Sequence, residues 1–434
     1  MTTRRNFIST SSAALGAAVA TAPFVRAQNA GQEFRVGLIG CGGRGSGAAD
    51  QNLSVTGPNV KLVAMADVFT ENLRGAHNNL KNKYGVKVDV PESRQFVGFD
   101  AYQKIMAMPD VNVVILATPP GFRPFQFEAA IKAGKHVFME KPVCVDSFGA
   151  NMVMAAAKEA DAKNLKVVVG LQRRYEVQYI ETFKRVQEGM IGDIIRAEVY
   201  WNGDRPWVRD RKEGDSEMTY QLRNWYHFNW LCGDNICEQH IHNIDVANWF
   251  LGDRHPVRAR GMGGREVLTG KEFGEIFDHH SVEYIYDNGV IVHSFCEHVP
   301  KTWSKVSETI VGTKGVATAG LIRDHAGKTL WRHAGNDDPN PYQTEHDRLY
   351  EFIQKGTPHN DGHYGANSSF TSVLGRYATY SGQEIGWDEA LASNLRLSPE
   401  SFGPDTQPLV LPGADGKYPL AIPGRYDWRT GKNA

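Results

Sequence analysis

Residues 35–45 read Arg35-Val36-Gly37-Leu38-Ile39-Gly40-Cys41-Gly42-Gly43-Arg44-Gly45, a short apolar run that ends directly in a glycine-rich turn. The run has the length and composition of a buried strand, and the glycines fit the G-x-G-x-x-G pattern that opens a helix. In that reading Gly40 makes the tight turn. Gly42, with Gly43 and Arg44 behind it, lets the backbone approach a pyrophosphate, and Gly45 lets the helix pack closely on the strand. The helix N-terminus supplies oriented amides and partial positive charge to the phosphates.

Working outward, residues 60–66 form a second apolar strand that ends in Asp67, about twenty residues beyond the glycines. A carboxylate there accepts hydrogen bonds from the adenosine ribose hydroxyls and repels a 2'-phosphate. NAD is therefore expected in preference to NADP, with Arg44 and Arg74 as the two cations placed to accommodate a phosphate. Residues 111–117 are apolar and β-branched enough for a central parallel strand and stop at Thr118-Pro119-Pro120, where proline cannot continue a ladder. A helix over residues 124–133 and a strand over 136–139 complete a β-α alternation. This predicts a Rossmann dinucleotide-binding domain over residues 34–150.

The whole chain has 434 residues, 41% hydrophobic and 22% charged, enough for a large core and two domains. With 48 basic and 49 acidic residues it lacks the excess that a dedicated nucleic-acid binder needs. The 44 glycines are not periodic, which excludes collagen-like and low-complexity classes.

Residues 1–27 stand apart. Arg4-Arg5 precedes a mild, alanine-rich stretch and then Val25-Arg26-Ala27, the pattern of a twin-arginine (Tat) export signal with a small-residue cleavage site. The stretch is too short and too weakly apolar for a stable membrane anchor, so a periplasmic or otherwise exported location is expected. Cleavage after Ala27 removes three arginines and no acid, moving the net charge from −1 to −4. Five cysteines without a CxxC pair do not describe a disulfide scaffold. Cys232 and Cys237 are the one pair near enough in sequence to bridge in an oxidising compartment.

Ala117-Thr118-Pro119, Ala133-Gly134-Lys135-His136-Val137, Glu140-Lys141-Pro142 and Gly170-Leu171-Gln172-Arg173-Arg174-Tyr175 follow the glycine turn in that order. Together they resemble the Gfo/Idh/MocA oxidoreductase family over most of the chain from Phe34 onward. The resemblance implies an α/β protein whose Rossmann domain is followed by an α/β domain with a large, mostly antiparallel open sheet. That sheet commonly carries substrate contacts on one face and subunit contacts on the other, so a homo-oligomer, dimer or tetramer, is implied. Also implied is NAD-dependent chemistry at a CH–OH group of a carbohydrate. Thr118, Pro119 and Glu140 then fall on the cofactor side, and Lys141 lies beside the nicotinamide and the reacting hydroxyl. Arg174 and Tyr175 follow the family's strand-end motif and are expected in the substrate pocket. Arg123 stands where the family frequently has His and is expected to make different contacts near the nicotinamide.

A lysine beside a positive ring is suited to hydrogen-bond a hydroxyl or relay its proton, and Pro142 fixes the turn behind it. The second constellation is Glu238 to Gly252, whose length and apolar spacing predict one helix ended by the glycine. On it Glu238, His242 and Asp245 share a face and His240 points elsewhere. The family usually has an Asp four residues before a His here; His242 matches, and Glu238 replaces the Asp. His242 is assigned as general base, with Glu238 as its orienter or a substrate ligand. His240 and His242 diverge on a helix, and neither HExxH nor paired CxxC occurs, so no metal is expected.

Residues 200–230 are dense in aromatics, including Trp201, Trp207, Tyr220, Trp225, Tyr226, Phe228 and Trp230, interleaved with arginines. Such rings cover the apolar face of a sugar or serve as core. Strands are expected over residues 194–201, 282–286, 290–295 and 306–311, with Asp287-Asn288-Gly289 as a hairpin turn. Helices are expected over 346–354 and 369–381. The substrate-binding domain then runs over 151–395, followed by an extended tail over 396–434.

Free nicotinamide cofactor is scarce outside the cytoplasm. An exported member is therefore expected to hold NAD tightly and act on a hydroxyl of a sugar, polyol or glycoside. The alternative is a redox-neutral glycosidase or lyase that oxidises, eliminates and re-reduces within one cycle. A non-catalytic sugar-binding protein is disfavoured because Lys141 and His242 are both present.

Overall fold

A computed structural model describes residues 33–335 and 337–434; the expected export signal lies outside the described residues. Six parallel strands form the first sheet: β1 (Glu33–Ile39), β2 (Asn59–Asp67), β3 (Gln95–Val97), β4 (Val113–Leu116), β5 (His136–Met139) and β6 (Val167–Val169). Their order is β3-β2-β1-β4-β5-β6, the doubly wound arrangement. The central strands are buried on both faces, as their unbroken apolar runs require.

The boundary expected at residue 150 is too early. Helix Ser147–Ala162 is the crossover that leads into β6, and β6 pairs with β5 in this sheet. A β-α-β unit closes only when its second strand has paired, so the first domain runs to about residue 170. The chain also returns to it: on helix Pro341–Lys355, Tyr350 packs edge-on against Phe34, ring centroids 4.9 Å apart, and donates to Asn52 Oδ1.

The second sheet has nine strands: β7 (Ile194–Gly203), β8 (Arg258–Gly264), β9 (His279–Ile285), β10 (Ile291–His298), β11 (Lys305–Gly312), β12 (Gly315–Thr318), β13 (Leu321–Asp324), β14 (Thr329–Arg332) and β15 (Ile385–Gly386). Their order is β14-β13-β12-β11-β7-β10-β9-β8-β15, and the pairs are antiparallel apart from β7 with β10. Burial alternates residue by residue along β9 and β10, so one face meets the core and the other is partly open. Helix Gly362–Ser381 packs between β8, β9 and helix Ser147–Ala162 and ties the two domains together.

All five cysteines are buried and unpaired, so Cys232 and Cys237, near enough in sequence to bridge, do not. The two sit on separate short helices, and Cys232 Sγ accepts the Asp234 N–H instead. The tail is irregular apart from a small ribbon between Tyr426–Asp427 and Lys432–Asn433, yet it buries Tyr418 and Trp428.

Candidate functional site

The glycine turn sits at the end of β1. Gly40 has φ +91°, and a Cβ there would meet the Ala117 carbonyl carbon at 2.6 Å; a Cβ on Gly45 would lie 1.8 Å from Gly40 O. These two glycines are demanded by turn and packing. Around Gly42 and Gly43 the space is open. Helix Gly43–Leu53 starts without a side-chain cap, leaving its first amides facing that space. A cavity of about 190 Å³ follows, lined by Gly40, Gly42, Gly43, Arg44, Asp67, Thr118 and Pro119 with the rings of Phe69 and Phe99.

Asp67 closes one end. Its Oδ2 accepts the Cys41 N–H (2.6 Å) and its Oδ1 the Phe69 N–H (2.8 Å). Burial raises its pKa, and those two amides oppose the rise. The Asn72 side chain is a third donor to Asp67, and with about four acceptor sites the carboxylate keeps one for a ribose hydroxyl. Of the two expected phosphate-binding cations, Arg44 is ion-paired with Glu140 and lies over the Tyr342 ring, and Arg74 is exposed and does not line the cavity. The residues present fit a dinucleotide.

A second cavity, about 340 Å³, adjoins the first; Arg44, Ala117, Thr118 and Trp225 line both. Around it stand Glu140, Lys141, Glu238, His242, Arg123, Gln172, Arg173, Trp201 and Tyr342. Gly170 makes room for Glu140, whose Oε2 would lie 2.7 Å from a Cβ at that position.

Lys141 and Glu238 are brought together. Lys141 Nζ lies 3.0 Å from Glu238 Oε1 and also donates to the Glu238 backbone carbonyl. The expected single helix from Glu238 is interrupted: Asn235–Glu238 ends, the His240 N–H reaches back five residues to Asn235 O, and Ile241–Phe250 begins anew. That slip of the ladder turns Glu238 toward Lys141. No hydrogen bond joins Glu238 to His242 among the described residues, so the orienting role assigned to Glu238 passes to the lysine. His242 is packed instead against Trp201, ring centroids 5.9 Å apart at 26°. Burial first, then the charges of Lys141 and Arg173, hold its pKa well below the usual histidine value. Burial raises the Glu238 carboxyl, with Lys141 opposing. His240 points away and meets Ser294 Oγ at 2.8 Å.

Three assignments to the substrate pocket change. Arg174 is buried elsewhere, with Nε and Nη2 on the Asp245 carboxylate (2.9 and 2.8 Å), Nη1 on Asp253 and the Tyr364 ring 3.7 Å away. Asp245 is thus committed to Arg174 and leaves the face expected to hold Glu238 and His242. Tyr175 donates to Asp361 Oδ2 (2.6 Å) in the core. Residues 172–175 form a 3-10 turn from which Gln172 and Arg173 reach the cavity, while Arg174 and Tyr175 are drawn away from it by Asp245 and Asp361. Arg123 does line the cavity, but its terminal nitrogens bind the Leu116 and Thr118 carbonyls, and burial lowers its pKa to about 10. It braces the end of β4.

Of the aromatics, Trp201 and Trp225 line the cavity, Trp207 is exposed, and Tyr226, Phe228 and Trp230 are core. Four buried polar atoms around the cavity have no partner: Gln172 Oε1, Glu238 Oε2, His242 Nδ1 and Arg123 Nε. Buried polar atoms are normally satisfied. Among the described residues no group of three or more His, Cys, Asp and Glu is arranged to hold a metal.

Residues 34–170 match the family model described as oxidoreductase family, NAD-binding Rossmann fold, and residues 179–318 match the GFO/IDH/MocA C-terminal domain. The chain belongs to the Gfo/Idh/MocA family. The first Gfo/Idh/MocA model ends one residue after β6, in agreement with the extended sheet. An inositol 2-dehydrogenase of Rhizobium meliloti is 27% identical over 252 residues, 58% of this chain and 64% of the relative. Glycosyl hydrolase family 109 protein 1 of Bacteroides fragilis is 25% identical over 326 residues, 70% of this chain and 64% of the relative. The matches thus span a little under two thirds of these relatives' lengths. Among solved structures, an aldose-aldose oxidoreductase from Caulobacter crescentus, complexed with glycerol, shares the Gfo/Idh/MocA fold. Its TM-score is 0.64 at 21% identity, covering 82% of this chain and 100% of that one.

Proposed function

We propose that this chain is an NAD-dependent oxidoreductase acting on a CH–OH group of a sugar, polyol or glycoside, with Lys141 and His242 handling the hydroxyl proton. The observation that carries the reading is the set of unpartnered polar atoms around Lys141 in a cavity continuous with the dinucleotide cleft. Two of them, Gln172 Oε1 and Glu238 Oε2, are acceptors, and neutral His242 adds a third accepting position. A ligand that satisfies them must donate, as hydroxyl groups do.

When bound, NAD supplies a hydride acceptor at nicotinamide C4. Two of the three donor positions on Lys141 Nζ are spent on Glu238, which aims the third at the reacting oxygen. His242, held neutral, accepts the hydroxyl proton. Trp201 and Trp225 cover apolar faces of the ring and exclude water. Because the His242 pKa is depressed, the acid limb of kcat/KM falls well below the ordinary histidine value of about 6.5. A pH profile of wild type with an inflection near that value that disappears in His242→Gln contradicts this role.

Among the described residues no Lys or Arg besides Arg44, which is paired with Glu140, lines the cavity that Asp67 closes, and this supports NAD over NADP. The export pattern of residues 1–27 supports a periplasmic or otherwise exported enzyme, and hence a cofactor held through the catalytic cycle. A homo-oligomer, dimer or tetramer, is supported by the outer face of the second sheet, where Tyr200 and half-buried Phe295 stack at 5.3 Å.

A second reading, a redox-neutral glycosidase or lyase, is favoured by the longer match to the glycosyl hydrolase family 109 protein, 70% of this chain against 58% for the inositol 2-dehydrogenase. Incubation with polyols, free sugars and aryl glycosides, following nicotinamide absorbance and aglycone release together, separates the two. Net reduction of NAD with a polyol or free sugar supports the oxidoreductase. Steady aglycone release without net absorbance change replaces it with the glycosidase or lyase, and neither signal removes both.

A further inference from the structure

The dinucleotide cleft is walled on its outer side by Phe122, Leu222 and Trp225. Leu222 and Trp225 lie on a stretch built from helix Glu217–Arg223, a 3-10 turn Trp225–His227 and helix Asn229–Cys232, of seven, three and four residues. Helical pieces this short do not hold themselves in place in water. Something else must fix the wall.

The tail supplies contacts directly behind it. Phe402 packs on Phe122, ring centroids 4.9 Å apart, and stacks on Trp230 at 6.3 Å and 15°. Gln221 Nε2 donates to the Val410 carbonyl (2.9 Å), while its Oε1 accepts from Trp230 Nε1 (2.7 Å). Tyr418 packs on Phe228 at 4.9 Å, donates to Glu217 and accepts from Arg211. One apolar cluster joins the tail, the wall and the rings of Phe69 and Phe99 that border the cleft. Phe402 and Tyr418 do not line the cleft, so they act on it through the wall.

We propose that the C-terminal tail is a positioning element of the dinucleotide site: Phe402 and Tyr418 hold the wall of Phe122, Leu222 and Trp225 closed over the bound cofactor and set how slowly it leaves. This rests on the proposed reading of tightly held NAD. Opening the wall is a local unfolding event, and its frequency rises when the packing behind it is removed.

The test measures dinucleotide per protein after gel filtration, and the rate at which bound NADH fluorescence is lost on adding excess NAD. Wild type, Phe402→Ala, Phe402→Tyr, Tyr418→Phe and Arg174→Ala are compared, each with a melting curve. Wild type is expected to retain dinucleotide. Phe402→Ala releases NADH at least tenfold faster, Phe402→Tyr restores slow release, and Tyr418→Phe is intermediate. Arg174→Ala, which loosens the core away from the wall, leaves release unchanged. Equal release from wild type and the tail variants overturns the tail's role and leaves the cofactor reading intact, as does equal acceleration in Arg174→Ala. If Phe402→Ala does not fold, Tyr418→Phe decides by the same criterion. Wild type that emerges without dinucleotide overturns both readings.

Discussion

Lys141→Ala is expected to lower kcat by about 10²–10⁴-fold, the range for losing a group that positions or transfers a proton in the transition state, while the protein keeps its bound dinucleotide. The side chain does not line the dinucleotide cavity, so its loss acts on the reacting hydroxyl. It also removes the cation that opposes the burial-driven rise of the Glu238 pKa, leaving that carboxyl with more neutral character. Glu238→Gln is the gentler change because an amide oxygen still accepts from Lys141. Steady-state kinetics on any polyol or sugar the wild type turns over provides the check. Full turnover in Lys141→Ala contradicts the assignment.

Arg174→Ala is expected to cost about 3–5 kcal/mol of unfolding free energy, the usual penalty for removing one partner of a buried ion pair. Asp245 is only 1% exposed and would retain Ser368 Oγ at 2.7 Å as its remaining side-chain donor. The Tyr364 ring would also lose the guanidinium stacked on it. Denaturant unfolding measures the loss. If Arg174 touched substrate, as its place in the strand-end motif suggested, the substitution would instead raise KM and leave unfolding nearly unchanged.

The contrast shows where the sequence was legible. Strand β5 and the glycine turn follow from local constraints, an apolar run and the backbone angles only glycine tolerates, and both are found where expected. Lys141, His242 and Glu238 were also recognised as cavity residues. The partnership of Glu238 was not, because one extra residue in the hydrogen-bond ladder near His240 changes which neighbour it meets, and no side-chain pattern announces such a slip. Gln172 and Arg173 were missed for Arg174 and Tyr175 because the acids that hold the latter two, Asp245 and Asp361, lie 71 and 186 residues further along the chain, and the motif carries no sign of them. The late end of the first domain was readable in principle: Val167-Val168-Val169 is a short β-branched run at the right distance for one more crossover. The return of helix Pro341–Lys355 to the first domain is a long-range packing event with no local signal.

The central claim is that a polyol or sugar hydroxyl meets Lys141 and His242 beside a retained nicotinamide. It is tested most directly by mixing purified wild-type protein, without added cofactor, with a panel of polyols and sugars and recording nicotinamide absorbance in a single turnover. The account predicts that reduced nicotinamide appears up to the amount of bound dinucleotide, and that Lys141→Ala loaded to the same extent is slower by the factor given above. Dinucleotide-loaded wild type that shows no absorbance change with any member of the panel would contradict it.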